Sequence, residues 1–363
     1  MKQIPLWADI GLIPLLNLLL AFFVAGLVVV FIGEDPLRAM QIMLTGALGS
    51  DYGIGYTLFY ATNFIFTGLA VAIAFHASLF NIGGEGQAAV GGIGIAVVAL
   101  TLDGTHWLIT FPLAILSAAI FGALWAFIPA YLQAKRGSHI VITTIMFNYI
   151  AAKLLGVLMN GALKKEGSMA PESRRFEEGA QIPFMQDMAG WVGIEIVKTP
   201  LNISFIVALL ACVLVWLLVW RSRLGYELRA FGHSEKAAVY AGIRPVKITV
   251  IVMLISGALA GCMALNTVMG EQQKLVLDHV QGAGFVGIAV ALMGRSHPIG
   301  VFLAAILFGV LYQGGTELAF EIPAISRDMI ITIQALVILF MGALENLVRY
   351  PVEGVLARAA GAR

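Results

Sequence analysis

Long stretches without a charged residue recur along this chain, and they restrict it to the membrane more firmly than any other feature. The stretch from Ile10 to Ile32 is 23 residues long and carries no charge. About 20 consecutive apolar residues are enough for a helix to cross the hydrocarbon core of a bilayer. Only 12% of the 363 residues are charged, whereas soluble domains contain about 25%. The sequence therefore predicts an all-α fold, a polytopic transmembrane helical bundle.

The hydropathy pattern predicts about ten spans in a single transmembrane domain over residues 1–363. The first span is expected to be retained, because it is too long for a signal-peptide core and no small-residue cleavage site follows it. The eighth is too short to cross alone and is expected to be a half-helix or to be extended by its flanks. The predicted spans are 10–32, 57–79, 84–102, 107–132, 139–162, 201–220, 248–269, 283–294, 298–316 and 325–347.

The distribution of Lys and Arg predicts that both termini are cytoplasmic. Short cytoplasmic connections are enriched in these residues, and with the N-terminus inside, the short inner loops carry most of the cations. The two long connections then fall on opposite sides. Residues 163–200 become an extracytoplasmic loop, and the basic segment 221–247 becomes a cytoplasmic loop.

A weak internal repeat is visible in the sequence. "GIAVVAL" at 94–100 precedes "PLAILSAAIFGAL" at 112–124, and "GIAVAL" at 287–292 precedes "PIGVFLAAILFGVL" at 298–311. In the predicted topology the two copies start from opposite faces of the membrane. An inverted repeat of this kind, with broken helices, usually surrounds a central transport site.

The stretch "FNIGGEGQAAVGGIGIA" from Phe80 to Ala96 is unusually polar and glycine-rich for a span. Each glycine costs about 1 kcal/mol relative to alanine inside a helix, so a break is expected near Gly83 and Gly84. Backbone groups freed by a break must face protein or a wet cavity. Asn81 can then cap the restarted helix, and Glu85 lies in its first turn. Two interpretations stay open: a broken-helix wall of a substrate path, or a tight turn with Glu85 among lipid headgroups.

Few other groups in the spans suggest chemistry. The side chain of Lys153 either snorkels to the outer face or has a functional role. Each of four asparagines either binds substrate or forms a hydrogen bond with a neighbouring helix. Neither a catalytic site nor a metal site is expected, and Cys212 and Cys262 are expected to be packing residues. No GxxxxGK[ST] sequence occurs, so the chain is not expected to be an ATPase or another enzyme. The asparagines are Asn63, Asn148, Asn160 and Asn266, and the aromatic residues considered for stacking on a ligand are Phe64, Phe66, Phe80, Phe147 and Phe285.

The segment "RSRLGYELRAFGHSEKAAVYAGIRP" (221–245) predicts a short cytoplasmic helix. Ser234 is a suitable N-cap and Glu235 suits the first turn. Gly242 is placed to end the helix, and Pro245 prevents its continuation. The alanines would allow another surface to approach closely, although a helix lying on lipid is an alternative.

Four stretches together resemble one permease family. They are "GLAVAIAFHASLFNIGGEGQ", "HIVITTIMFNYIA", "LRAFGHSEKAAVYAGI" and "GFVGIAVALMGRSHPIG". They are similar to the permease subunits of ATP-binding-cassette (ABC) importers for branched-chain amino acids, simple sugars and nucleosides, and most similar to the larger permease of nucleoside-type systems. The resemblance covers about 56–348. "GGEGQ" stands where "GAEGQ" is more usual, and His76 where a basic residue is common, which leaves the substrate open.

The resemblance implies a set of partners. It implies a second related permease, ABC ATPase subunits that use ATP and Mg²⁺, an extracytoplasmic solute-binding protein and surrounding membrane lipid, with no cofactor in this chain and no nucleic acid. It also implies the bacterial cytoplasmic (inner) membrane. The expected function is inward transport of nucleosides or related purines by alternating access. Alternatives are the same importer for simple sugars or another small polar solute, and a stand-alone ion-coupled secondary transporter.

The resemblance also assigns roles to residues. The 234–243 helix looks like the coupling helix that inserts in a groove of the ATPase, and a bulky Trp in place of Ala238 is expected to uncouple or disassemble the complex. The residues expected to act in ATPase coupling are Arg229, Ser234, Glu235, Ala237, Ala238 and Gly242. Those expected to line the substrate path are Phe80, Asn81, Gly83, Gly84, Glu85, Gln87, Asn148 and Phe285.

Overall fold

A computed structural model describes residues 12–102, 104–340 and 348–354, and α-helices dominate it. No strand occurs among these residues, where only two isolated β-bridges are present. The predicted all-α fold is therefore confirmed. The helices are α1 (Ile13–Ile32), α2 (Pro36–Leu48), α3 (Asp51–His76), α4 (Gly84–Thr101), α5 (Trp107–Arg136), α6 (Ile140–Asn160), α7 (Met185–Gly190), α8 (Ser204–Trp216), α9 (Arg223–His233), α10 (Glu235–Tyr240), α11 (Pro245–Cys262), α12 (Ala283–Met293), α13 (Pro298–Glu321) and α14 (Arg327–Ile338).

Ten spans is too high a count for the described residues. Seven helices are long and apolar enough to cross a membrane, and α1 with α2 would add an eighth only as a pair bent by 117°. The seven are α3, α4, α5, α6, α8 with its π-helical continuation Leu217–Arg221, α11 with the π-helical segment Leu265–Glu271, and α13. Helix α12 has 11 residues, which confirms the predicted half-helix. Helix α14 has 12, and residues 341–347 of the tenth predicted span lie outside the described part.

Helix α2 was not predicted, although the sequence contains the signals that start it. Gly33 ends α1 with a φ of 93°, a left-handed conformation that glycine adopts at little cost. The backbone N–H of Leu37 donates to Asp35 Oδ1 at 2.9 Å, and Pro36 occupies the first turn. A search for uniformly apolar stretches misses this helix because Arg38 interrupts it.

Glycines allow α4, α5 and α11 to pack at close range. Gly91 of α4 lies against Gly261 of α11, and Gly122 of α5 lies against Gly257. A side chain at Gly122 would collide with the backbone of α11. Helix α4 is consequently mostly buried, whereas α5, α6 and α8 keep most of their surface exposed, as lipid-facing helices do.

The two copies of the predicted repeat fold into corresponding helix pairs. The first copy forms α4 and α5, and the second forms α12 and α13. The second helix of each pair begins with the same cap. The Nδ1 of His106 accepts the N–H of Leu108, and the Nδ1 of His297 accepts the N–H of Ile299, both at 3.3 Å. The opposite orientation of the copies in the membrane stays a prediction.

The chain divides into two compact units. Residues 1–54 with 310–363 make one unit, and residues 55–309 make the other. The first contains α1, α2 and α14. The second contains the segments before α4 and α12, the two long connections and every contact of the candidate site described below. The prediction of a single permease domain is not decided by this division.

Candidate functional site

The predicted break in the glycine-rich stretch is present. Helix α3 ends at His76 and α4 begins at Gly84. Asn81 organises the seven residues between them: its Oδ1 accepts the N–H of Gly83 at 2.9 Å, and its Nδ2 donates to Gln87 Oε1 and to Ser256 Oγ. Asn81 and Gln87 are each about 1% exposed. Their side chains therefore hold the break in shape from inside the protein, and their predicted contact with substrate stays a prediction.

Asn148 satisfies the backbone of the same break from another helix. Its Oδ1 accepts the N–H of Gly86 at 2.9 Å, and its Nδ2 donates to the carbonyl of Ile82 at the same distance. The first turn of a helix has no internal partners for its N–H groups. A side chain on α6 thus supplies a cap that α4 cannot supply for itself.

Glu85 bridges the first turns of α4 and α12. One carboxylate oxygen accepts the N–H of Gly282 at 2.8 Å, and the other accepts the N–H of Gly284 at 2.9 Å. Gly282 is the N-cap of α12, with a φ of 79°. A side chain on Gly284 would collide with the backbone of Glu85, so glycine is needed for this approach. The sequence placed Glu85 at the start of α4 but did not indicate that it also caps α12.

A cavity of about 650 Å³ lies beside this bridge. Glu85 and Asn148 line it, while their contact with substrate stays a prediction. The remaining wall is mostly small and aliphatic. No Phe, Tyr or Trp side chain is among the described residues that line it. Phe80 and Phe285, which were expected on the path, are partly exposed elsewhere, and Phe80 packs on Phe75 at 5.1 Å between ring centroids. The other polar lining residues are Lys153, Asn160, Asp278 and His279.

His279 belongs to the site although no motif pointed to it. It is 2% exposed, and its ring lies against Gly92 of α4, where a side chain would collide with the imidazole. Burial lowers the pKa of His279, so the ring is neutral at pH 7. A lone histidine in a polar connection carries no recognisable pattern, and only the fold brings it against α4.

Two of the remaining asparagines, Asn63 and Asn266, form a hydrogen-bonded network with Asn202, which precedes α8. Asn266 Nδ2 donates to Asn63 Oδ1 at 2.8 Å, and Asn202 Nδ2 donates to Asn266 Oδ1 at 2.9 Å. All three are buried. For Asn63 and Asn266 the structure thus favours bonding between helices over substrate binding, two interpretations that the sequence left open.

The predicted short helix is present as α10, and its cytoplasmic location stays a prediction. Ser234 Oγ accepts the N–H of Ala237 at 3.3 Å, Gly242 follows the helix with a φ of 84°, and Pro245 opens α11. Arg229 lies on the preceding α9, where its Nε donates to the carbonyl of Gly225. The local signals at Ser234, Gly242 and Pro245 were sufficient to predict this helix.

The outward surface of α10 differs from the expected one. Ala238 is 2% exposed and packs in an apolar cluster with Leu79, Leu228 and Ile248, so its side chain faces the interior. Glu235, Ala237 and Tyr240 are exposed, Tyr240 to 96%. The cluster places α10 against Leu79, next to the break that precedes α4.

The chain is similar to permeases of ABC transporters over most of its length. Residues 53–344 match the family described as branched-chain amino acid transport system / permease component. The chain is 36% identical to the guanosine ABC transporter permease of Bacillus subtilis, covering 92% of this chain and 93% of the relative. It is 34% identical to the glucose ABC transporter permease of Haloferax volcanii (97% and 92%), and 31% identical to the nucleoside ABC transporter permease of Lactococcus lactis (96% and 93%).

A second permease from each of these organisms also matches, at 26% identity. These second matches cover about 70% of this chain. No solved structure matches the chain.

Proposed function

This chain belongs to the permease family of the branched-chain amino acid transport system, and on that premise we propose that it carries nucleosides or related purines into the cell by alternating access. It is an ABC importer permease, which forms the membrane path. Two of the three relatives described above are named for guanosine or nucleosides and one for glucose. Simple sugars are therefore the second candidate class.

The observation that carries the proposal is the cavity beside the meeting point of α4 and α12. Each helix N-terminus has a partial positive charge of about one half, and the Glu85 carboxylate accepts N–H groups from α12 while standing in the first turn of α4. One negative charge thus offsets two positive helix ends. A site balanced in this way suits an uncharged polar solute, and both nucleosides and simple sugars are of that kind.

Force for the transport cycle would enter at α10. An ATPase partner would dock on the exposed face with Glu235, Ala237 and Tyr240, while Ala238 anchors the helix in the cluster that includes Leu79. Movement of α10 would then displace the break before α4 and change access to the cavity. ATP and Mg²⁺ would be used by that partner.

The complex would include three further kinds of partner. Each relative has a second permease in its organism, which supports a heterodimer with a related chain. A solute-binding protein would deliver substrate at the 163–200 loop. The assembly would sit in the bacterial cytoplasmic membrane with both termini inside.

Uptake of radiolabelled guanosine into cells with and without this gene tests the proposal. We expect deletion to reduce uptake at least tenfold, and re-expression to restore it. Unlabelled nucleosides should compete, whereas glucose, ribose, xylose and leucine should not.

Unchanged guanosine uptake on deletion, together with loss of radiolabelled glucose or ribose uptake, would transfer the assignment to sugars. If each of these compounds is radiolabelled in turn and the uptake of none of them changes on deletion, both substrate classes are contradicted.

A further inference from the structure

Residues 172–176 of the 163–200 loop pair with the chain just before α12; we name them the outer strap. Ser173 N–H donates to the carbonyl of Leu275 at 3.0 Å, and Phe176 N–H donates to that of Gln273 at 2.8 Å. The N–H of Leu275 returns a bond to Ser173 Oγ. Two side-chain contacts, Glu172 with Lys274 and Arg175 with Gln273, reinforce the pairing.

The strapped chain, residues 273–284, is named the gate segment because it also forms one wall of the cavity. Residues 277–280 line the cavity, and Gly282 and Gly284 bind Glu85. The segment is thus held at its beginning by the outer strap and at its end by Glu85, with the cavity wall between the two attachments.

The backbone of the gate segment is unusual. Gln273, Asp278 and Gln281 have φ values of 52°, 55° and 50°, in the left-handed region that residues other than glycine seldom adopt. Such conformations persist only where surrounding contacts impose them, and they cluster at switches and ligand clamps. Release of the outer strap would remove contacts that impose the first of them.

We propose that movement of the gate segment changes access to the cavity and that the outer strap holds the segment in its present position until a partner protein displaces the strap. This inference rests on the proposed import function and assigns its control to an extracytoplasmic binding protein. The partner surface is polar and charged: Arg175 of the strap is exposed, and so are Glu177 and Glu178 directly after it. A soluble protein that carries complementary charges fits such a surface, and lipid tails do not.

Two engineered disulfides in the same loop test the proposal, because the chain has two isolated antiparallel bridges there. Glu172→Cys with Val276→Cys would lock the strap to the gate segment. Phe184→Cys with Asn202→Cys would tie the same loop to the start of α8 and serves as the matched control. Both pairs are made in a chain with Cys212→Ala and Cys262→Ala, the two native cysteines, and [³H]guanosine uptake is measured before and after oxidation.

We expect oxidation of the 172/276 pair to reduce uptake at least tenfold and dithiothreitol to restore it, with less than a twofold change for the 184/202 pair. The proposal would be overturned if fully cross-linked 172/276 protein took up as much guanosine as the same protein after dithiothreitol. Equal inhibition by both disulfides would also overturn it. Failure of the 172/276 pair to cross-link would contradict the pairing itself. Uptake by the unmodified chain tests the import function separately.

Charge reversal provides a second test that does not depend on cysteines. Glu172→Lys or Lys274→Glu alone should loosen the strap and raise the ATPase activity of the complex without binding protein at least threefold. The double exchange should return it to the wild-type level. A basal ATPase activity that is equal in all three variants and the wild type would contradict a strap that controls the gate.

Discussion

Glu85 joins two helix ends that are far apart in the sequence, since its hydrogen-bond partners lie 197 and 199 residues away. Both of its oxygens accept N–H groups, which is the pattern of an ionised carboxylate. Hydrogen bonds to charged groups contribute about 1.5–3 kcal/mol each. The side chain is therefore expected to stabilise the fold and to shape the cavity at once.

Glu85→Ala tests this bridge. The substitution leaves two N–H groups of α12 without their acceptor, so we expect a loss of roughly 3 kcal/mol in stability and at least a tenfold loss of uptake. Glu85→Gln retains one acceptor and should fall between wild type and Glu85→Ala. Thermal unfolding in detergent and uptake in cells are the measurements. Glu321→Ala, which removes an exposed carboxylate from the end of α13, is the control; equal effects at the two sites would contradict a special role for Glu85.

Helix α10 has two faces with different roles at the scale of the element. Its six residues are too few to be stable alone, and the buried side chain of Ala238 attaches it to the apolar cluster. The neighbouring Ala237 is exposed. A partner that docks on α10 can therefore transmit movement to the membrane helices through Ala238 while it contacts Ala237 and Tyr240.

Two adjacent Ala→Trp substitutions separate docking from folding. Ala237→Trp adds bulk to the exposed face, so the permease should remain as stable as wild type and lose co-purification of its ATPase. Ala238→Trp overfills the cluster, and overpacking typically costs about 1–3 kcal/mol or more, so the permease itself should unfold at lower temperature. The expectation that Ala238→Trp uncouples or disassembles the complex stays a prediction, and the burial of Ala238 adds an expected effect on the fold. Loss of ATPase binding by Ala238→Trp alone would contradict this division.

At the scale of the whole molecule, the chain belongs to a family of permease components of transport systems. The sequence contains no P-loop, and the described residues contain no group of three or more His, Cys, Asp or Glu side chains that could hold a metal ion. The cavity beside Glu85 lies in the larger compact unit. In the proposed mechanism, movement of solute against a gradient draws on partner subunits.

Reconstitution in liposomes tests this dependence. The complete complex with binding protein and ATP should accumulate guanosine, and the same complex with a hydrolysis-deficient ATPase should not. The permease chain alone should show no uptake under a proton or sodium gradient. Ion-driven uptake by the chain alone would support the secondary-transporter alternative and contradict the proposed mechanism.

Local patterns in the sequence were sufficient for several elements. The break before α4 follows from Gly83 and Gly84, and α10 follows from Ser234, Gly242 and Pro245, because capping and helix breaking depend on residues within one turn of each other. Uninterrupted apolar stretches predicted the membrane helices, because a span is defined by the composition of one continuous segment. The described residues contain seven or eight candidate spans rather than about ten, because apolar composition did not reveal the sharp bend between α1 and α2, and because part of the tenth predicted span lies outside the described residues.

The sequence by itself determined that this chain is an all-helical membrane protein with a broken helix at Gly83–Gly84 and a short helix after Ser234. Only the tertiary structure decided that Glu85 caps α12, that Ala238 faces inward and that the outer strap holds the gate segment. Each of these contacts joins residues distant in sequence. Such contacts depend on how the helices pack, and packing is decided by the shapes of all the surfaces together rather than by any local pattern.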